Sequence, residues 1–121
     1  MIHQPVKITA KRTVLQAIEI MKEQKVDSLI VTDRNQQLLG IVTLKGIQLL
    51  ERKLPLEEVM EKDVLSVSQD TNLIAVLATM NEHKIGYLPV VNSTNQLIGL
   101  ITRSSILSAL SSQLIDLEVA F

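Results

Sequence analysis

Residues 6–47, VKITAKRTVLQAIEIMKEQKVDSLIVTDRNQQLLGIVTLKGI, and residues 65–106, LSVSQDTNLIAVLATMNEHKIGYLPVVNSTNQLIGLITRSSI, decide the fold when laid one on the other. A shift of 59 positions aligns them without a gap and leaves ten identities: Met21/Met80, Glu23/Glu82, Lys25/Lys84, Leu29/Leu88, Val31/Val90, Gln37/Gln96, Leu38/Leu97, Gly40/Gly99, Thr43/Thr102 and Ile47/Ile106. Most other apolar positions exchange one aliphatic residue for another. The chain is therefore two copies of one supersecondary unit, and a repeat of this kind governs every later assignment.

Each copy changes its hydrophobic period in the same order. Val6 and Ile8, or Leu65 and Val67, alternate with polar residues as a short strand does. Thr13 and Gln16 read as a capping box, after which Val14, Ala17, Ile18 and Met21 follow helical spacing. Copy two starts the same helix at Asn72, with Leu73, Val76, Leu77 and Met80 on the buried stripe. Leu29 to Val31 is a β-rich run, and the turn-forming stretches Asp33 to Gln36 and Asn92 to Asn95 join it to a second antiparallel strand, Leu38 to Val42 or Leu97 to Ile101. Thr43 and Thr102 then stand as N-caps of a further helix. The expected fold is α/β, in the α+β sense: two β-α-β-β-α repeats, neither large enough to bury sheet and helices alone, packed as a pseudo-twofold pair. The expected divisions are residues 1–53 for the first repeat, 54–63 for the connector and 64–121 for the second. In the connector Pro55 is expected at the first helical position, with Leu56, Val59 and Met60 inward and Glu57, Glu58 and Glu61 solvated.

Composition narrows the function. The chain has 121 residues, 12 Lys plus Arg against 13 Asp plus Glu, and no Cys. One domain of this size builds its core without disulfides or metal. Near-neutral charge without a basic cluster argues against nucleic acid and against an anionic membrane surface as partners. No apolar run approaches the roughly 20 residues of a membrane helix and no leader pattern opens the chain, so a cytoplasmic location is expected. His3 and His83 are solitary, no nucleophile or phosphate-loop motif occurs and metal ligands at standard spacing are missing. Neither catalysis nor a metal site is expected. Aromatic residues are scarce, Tyr87 and Phe121 being the two. Tyr87 aligns with Ser28 and Arg103 with Leu44, so the copies differ at two chemically telling positions.

The paired units, the connector LEEVMEKDVLSV, the strand GYLPVVN and the strands LLGIVT and LIGLIT running into helices together resemble the tandem CBS-domain pair, or Bateman module. Within that family the sequence looks most like the C-terminal regulatory module of the ATPase subunit of glycine betaine, carnitine or choline ABC importers. The resemblance implies a regulatory module with no resident cofactor, paired as a flat homodimer. It also implies a longer protein: the abrupt start at MIHQPVKI suggests a module taken from a chain that carries the ATPase domain and, through it, meets the transporter's membrane subunits at the inner face of the membrane. In such modules adenine nucleotides bind between the repeats, with a Ser or Thr at the last helix followed three residues later by an Asp for the ribose hydroxyls. Here Thr43 is followed by Gly46 and Thr102 by Ser105. Each missing charge-assisted bond is worth about 1.5–3 kcal/mol, which disfavours ordinary AMP or ATP.

Importers of this type respond to cyclic di-AMP bound across a dimer interface, a ligand whose 3′ oxygens are already tied into phosphodiesters. The resemblance then implies Val6, Val26 and Leu100 as apolar walls, Ser28 and Thr102 as hydrogen-bonding groups, Tyr87 as a stacking surface and Arg103 as a phosphate contact at a helix start. The plainer alternatives are a core Tyr, a surface Arg, and hydroxyls that cap local backbone. Lys25 and Lys84 suit a helix C-terminal dipole, and Ser104, Ser105, Ser108, Ser111 and Ser112 suit a solvated helix face. Two other functions remain open: a ligand-free dimerisation module, and a sensor of AMP, ATP or ionic strength. The tail LIDLEVAF is equally compatible with a partner contact and with fraying.

Overall fold

The computed structural model describes residues 2–119, with side chains described over 4–111. In chain order the elements are β1 (Ile2–His3), β2 (Lys7–Thr9), α1 (Val14–Gln24), β3 (Ser28–Thr32), β4 (Leu38–Thr43), α2 (Leu44–Ile47), α3 (Leu56–Val59), β5 (Val67–Ser68), α4 (Leu73–His83), β6 (Tyr87–Val91), β7 (Leu97–Thr102) and α5 (Arg103–Val119). The duplicated β-α-β-β-α units are thus present, one before α3 and one after it. The backbone of the tail continues α5 as far as Val119, while the side chain of Ser112 and all of Phe121 lie outside the described residues.

Each helix forms for the local reason its sequence carries. Thr13 accepts the Gln16 N–H while the Gln16 side chain takes the Thr13 N–H, the capping box of α1. Asn72 caps α4 through the Ala75 N–H. Both helices end on a lysine in the left-handed region, Lys25 at φ 58° and Lys84 at φ 54°. The next amide, Val26 or Ile85, returns to the carbonyl of Met21 or Met80. The buried stripe of α1, Val14, Ala17 and Met21, packs on Leu29, Val31 and Val42. Val76 and Met80 of α4 pack on Leu88, Val90, Ile101 and Ile106. Burying each large aliphatic side chain contributes about 1.5–3 kcal/mol, so these two cores hold the repeats together without aromatic residues.

Three boundaries differ from the sequence expectation. The lead strands begin at Lys7 and Val67 rather than at Val6 and Leu65. In repeat one the Ile30 N–H still reaches the Val6 carbonyl at 3.2 Å. The equivalent of Ile30 is Pro89, which has no N–H to give, so β5 is shorter and Leu65 remains exposed. Pro55 occupies the N-cap of α3 rather than its first helical position, with extended backbone (φ −74°, ψ 147°); Leu56 is buried and Glu57, Glu58 and Glu61 are exposed.

The sheets explain how the copies combine. One has the order β2-β3-β4, the other β1-β7-β6-β5. The strand β1 precedes repeat one but pairs with repeat two, Ile2 opposite Ile101 and His3 opposite Leu100. Glu61, 59 positions after Ile2, does the converse: its N–H and carbonyl bond Ile41 of β4 at 2.9 and 3.0 Å. The lead of each repeat therefore closes the sheet of the other. Across the pseudo-twofold the two hairpin turns clasp reciprocally. Leu38 N–H donates to the Asn95 carbonyl (3.1 Å) and Leu97 N–H to the Gln36 carbonyl (2.7 Å). Gln37 Nε2 donates to the Thr94 carbonyl (2.8 Å) and Gln96 Nε2 to the Asn35 carbonyl (2.9 Å). Between them Ile30, Ile41 and Leu97 form a third apolar cluster, flanked by Leu38, Val64, Tyr87 and Leu100.

Gly40 is where the connector presses closest: a Cβ there would stand 2.6 Å from the Glu61 carbonyl oxygen and 2.8 Å from Met60 Sδ. Backbone cannot yield as a side-chain tip can, so Gly40→Ala is expected to lower the unfolding free energy by about 1–3 kcal/mol. Urea denaturation checks this, and an unchanged midpoint would show that the connector does not pack on β4.

Candidate functional site

The segment Gln4–Val6 crosses from β1, in one sheet, to β2, in the other, and the gap beside it opens as a cleft of about 870 Å³. Its walls come from both repeats. Repeat one supplies Lys25, Val26, Asp27, Ser28 and Ile30; repeat two supplies Gly86, Tyr87, Leu100, Thr102 and Ser104. The geometry follows from strand register, since Ser28 opens β3 opposite Thr43 and Tyr87 opens β6 opposite Thr102. The strand starts of both repeats thus lie beside the helix starts that follow β4 and β7. Backbone bonds fix that corner in each copy: Leu44 N–H to the Asp27 carbonyl at 2.8 Å and Arg103 N–H to the Gly86 carbonyl at 2.7 Å.

Of the seven residues singled out from sequence, Val6, Val26, Ser28, Tyr87, Leu100 and Thr102 line this cleft. Arg103 does not. It borders a separate depression of about 340 Å³ with Asn81, Lys84, Ile85 and Gly86. As the first residue of α5 it points toward the end of α4, where Nη2 donates to the Ile85 carbonyl at 3.2 Å. Its Nε is buried without a hydrogen-bond partner. Arg103, expected as a phosphate contact at the start of α5, is thus projected by the first turn of that helix away from the cleft lined by Tyr87 and Thr102.

Ser105 is corrected as well: rather than lying on a solvated face it is half-buried, and its Oγ donates to the Thr102 carbonyl at 2.8 Å. Its N–H takes the Thr102 hydroxyl at 3.1 Å, so Thr102 is the cap of α5. Ser104, at the second helical position of α5, is exposed and lines the cleft.

Tyr87 is half-buried, packing against the apolar cluster between the repeats and lining the cleft. Burial first, then the nearby carboxylates of Glu61 and Asp27, hold its phenol above the usual pKa of 10.0. At neutral pH it is a neutral donor. Lys25, Asp27, Ile30 and Ser104 were not singled out as ligand contacts from sequence. Asp27 carried a signal, because the 59-residue shift pairs it with Gly86, one residue before the Ser28/Tyr87 difference. Chemically the cleft offers apolar walls for a flat ring, one phenol, several hydroxyls, one cation and one carboxylate, the mixture found in sites for polar aromatic ligands. Among the described residues no group of three or more His, Asp or Glu is placed to hold a metal ion.

A pair of α+β repeats with a cleft between their strand starts defines a class of small tandem-repeat modules, and comparison makes the family definite. The CBS-domain family matches residues 1–49 and 56–112, and this chain belongs to it. It is 36% identical over 104 residues to the choline transport ATP-binding protein OpuBA of Bacillus subtilis, covering 85% of this chain and 27% of that protein. Among solved structures it resembles Staphylococcus aureus OpuCA, with a TM-score of 0.81 and 28% identity over 93% of this chain and 97% of that one. The same TM-score and identity relate it to CBSX2 in complex with AMP, over 89% of this chain and 88% of that one. The chain thus spans about a quarter of the curated transporter subunit it matches.

The raised phenol pKa has a consequence in alkali. Because the fold favours protonated Tyr87, this contribution to stability is fully present below pH 10.0 and is lost as the pH rises through the folded-state value. Ultraviolet titration of the native chain is expected to show its single tyrosine ionising later than in the urea-unfolded chain. Coincident curves would contradict the burial of Tyr87 near the carboxylates of Glu61 and Asp27.

Proposed function

We propose that this chain is the nucleotide-sensing regulatory module of the ATPase subunit of an osmolyte ABC importer. It works as a homodimer and binds cyclic di-AMP at the interface between the two copies, where the clefts lie, to control transport. The proposal places it at the cytoplasmic face of the membrane, joined to an ATPase domain of the same longer protein; among the described residues no helix is long and apolar enough to cross a membrane itself. The likeness to OpuBA and OpuCA supports the transporter context. The observation that carries the ligand proposal is the cleft in which Tyr87, Leu100 and Thr102 of one repeat face Val6, Val26 and Ser28 of the other.

A purine ring fits apolar walls and a phenol, and Lys25 with the start of α5 at Ser104 offers the cleft's contacts for phosphate. Ser105, bonded back to Thr102, is no substitute for the ribose-binding carboxylate, which favours a ligand whose 3′ oxygens are already esterified. Leu15 and its 59-residue counterpart Ile74 stand exposed on α1 and α4 and offer apolar surface to a second copy. Binding changes transport to the extent that the nucleotide favours one arrangement of the two copies over another.

A second reading, an AMP-responsive module, is favoured by the likeness to the AMP-bound CBSX2 structure. One experiment separates the two. Calorimetric titration of the chain with cyclic di-AMP, AMP and ATP is expected to give saturable heat with cyclic di-AMP. Tyr87→Leu, which keeps an apolar side chain, should weaken it by roughly 5- to 150-fold for a lost stacking contact of about 1–3 kcal/mol. Binding of AMP in place of cyclic di-AMP selects the second reading. Neither heat nor thermal stabilisation with any of the three at high micromolar concentration contradicts both.

A further inference from the structure

We propose that Asp27 reads the edge of the base held in the cleft and selects a base that carries an exocyclic amino group. This rests on the nucleotide reading above and adds to it the residue that sets base identity. Among the described residues Asp27 is the one carboxylate lining the cleft. Among the described residues its side chain makes no hydrogen bond or ion pair, so its lone pairs are available to a ligand. Its backbone is fixed all the same. It directly precedes β3, and its carbonyl holds the Leu44 N–H at 2.8 Å where α2 begins. Asp27 therefore lines the cleft from a fixed backbone corner, and its exposed carboxylate needs no loop rearrangement to meet a ligand.

Its neighbourhood gives it an edge rather than a face to read. Tyr87 lines the same cleft, close enough for the Asp27 charge to act on its phenol. A base resting against the Tyr87 ring presents its rim, not its flat side, to groups beside that ring. On the other wall the counterpart of Asp27 is Gly86, so one end of the cleft accepts hydrogen bonds and the matching end has no side chain with which to do so. This asymmetry also orients the ligand, because a phosphate is repelled from Asp27 and drawn to Lys25.

An ionised carboxylate only accepts. Against an amino group it forms a charge-assisted hydrogen bond. Against a ring position that carries no donor it loses water and gains nothing. Sites that rely on such a bond reject the analogue lacking it.

The test compares each adenine nucleotide with its analogue bearing hydrogen in place of the amino group at purine C6. The pairs are AMP with purine riboside 5′-monophosphate, and cyclic di-AMP with the corresponding dinucleotide, titrated into the full chain and into Asp27→Ala and Asp27→Asn. The wild-type chain is expected to prefer the amino-bearing member of whichever pair binds by at least about tenfold, the size of one good hydrogen bond of about 1.4 kcal/mol. Asp27→Ala should bring the ratio close to one, and Asp27→Asn, a neutral acceptor of the same shape, should fall between. Unchanged melting temperatures establish that both variants fold.

A wild-type ratio near one overturns the proposal, as does a preference that survives Asp27→Ala. A 2′-deoxy ligand that loses affinity in the wild-type chain but not in Asp27→Ala would place the carboxylate on the sugar and also overturn it. If no nucleotide binds the wild-type chain, the nucleotide reading fails first and this proposal with it. Binding without discrimination fails this proposal alone.

Discussion

The hydrogen bonds exchanged between the two hairpin turns are the constraint on which the remaining geometry depends. Leu38 with Asn95, Leu97 with Gln36, and the side chains of Gln37 and Gln96 on the opposite carbonyls form a closed reciprocal set. A bond made twice about a pseudo-twofold fixes both translation and rotation of one repeat against the other. Individually each contributes only about 0.5–1.5 kcal/mol, and their importance lies in register. With the turns clasped and each lead closing the opposite sheet, the strand starts of the two repeats cannot avoid facing one another. The cleft is the space left at that meeting.

That arrangement also accounts for where the copies are allowed to differ. Residues in the separate cores keep their aliphatic character at most matched positions, because each packs against its own helix, the exception being Ala10, whose counterpart is Gln69. The left-handed positions match as well: Lys25 with Lys84 and Gln36 with Asn95, at φ between 54° and 66°. Divergence gathers at the cleft, where Asp27 faces Gly86 and Ser28 faces Tyr87 across the repeat relation. A symmetrical frame thereby carries an unsymmetrical site, and an unsymmetrical site can hold a ligand in one orientation.

Much of this was legible in the sequence because it rests on local periodicity. The repeat, the capping box of Thr13, the Asn72 cap and the buried stripes are each set by residues a few positions apart. The identity of Gln37 and Gln96 was visible, but its cause was not, since the amides bond carbonyls 57 and 61 residues away. The pairing of Ile2 and His3 with β7 was illegible for a related reason: two residues carry no period, and their partners lie in the other repeat. Six of the residues singled out from sequence line one cleft, Ser28, Tyr87, Leu100 and Thr102 through strand register and Val6 and Val26 through the short segments that lead into β2 and β3. Arg103 did not join them, because its direction depends on how the first turn of α5 leaves β7. Pro89 shortened a strand through one absent N–H, an effect that becomes visible only once the Ile30 to Val6 bond is known.

The central claim is that a nucleotide is held between the repeats, touching both. Amide chemical-shift mapping of the isotope-labelled chain during titration with cyclic di-AMP tests it most directly. Saturable shifts with one common affinity are predicted at Val6, Val26 and Ser28 on one wall and at Tyr87, Leu100 and Thr102 on the other, with the core of α1 and α4 unmoved. Saturable shifts confined to one repeat, or lying on surfaces away from this cleft, would contradict it.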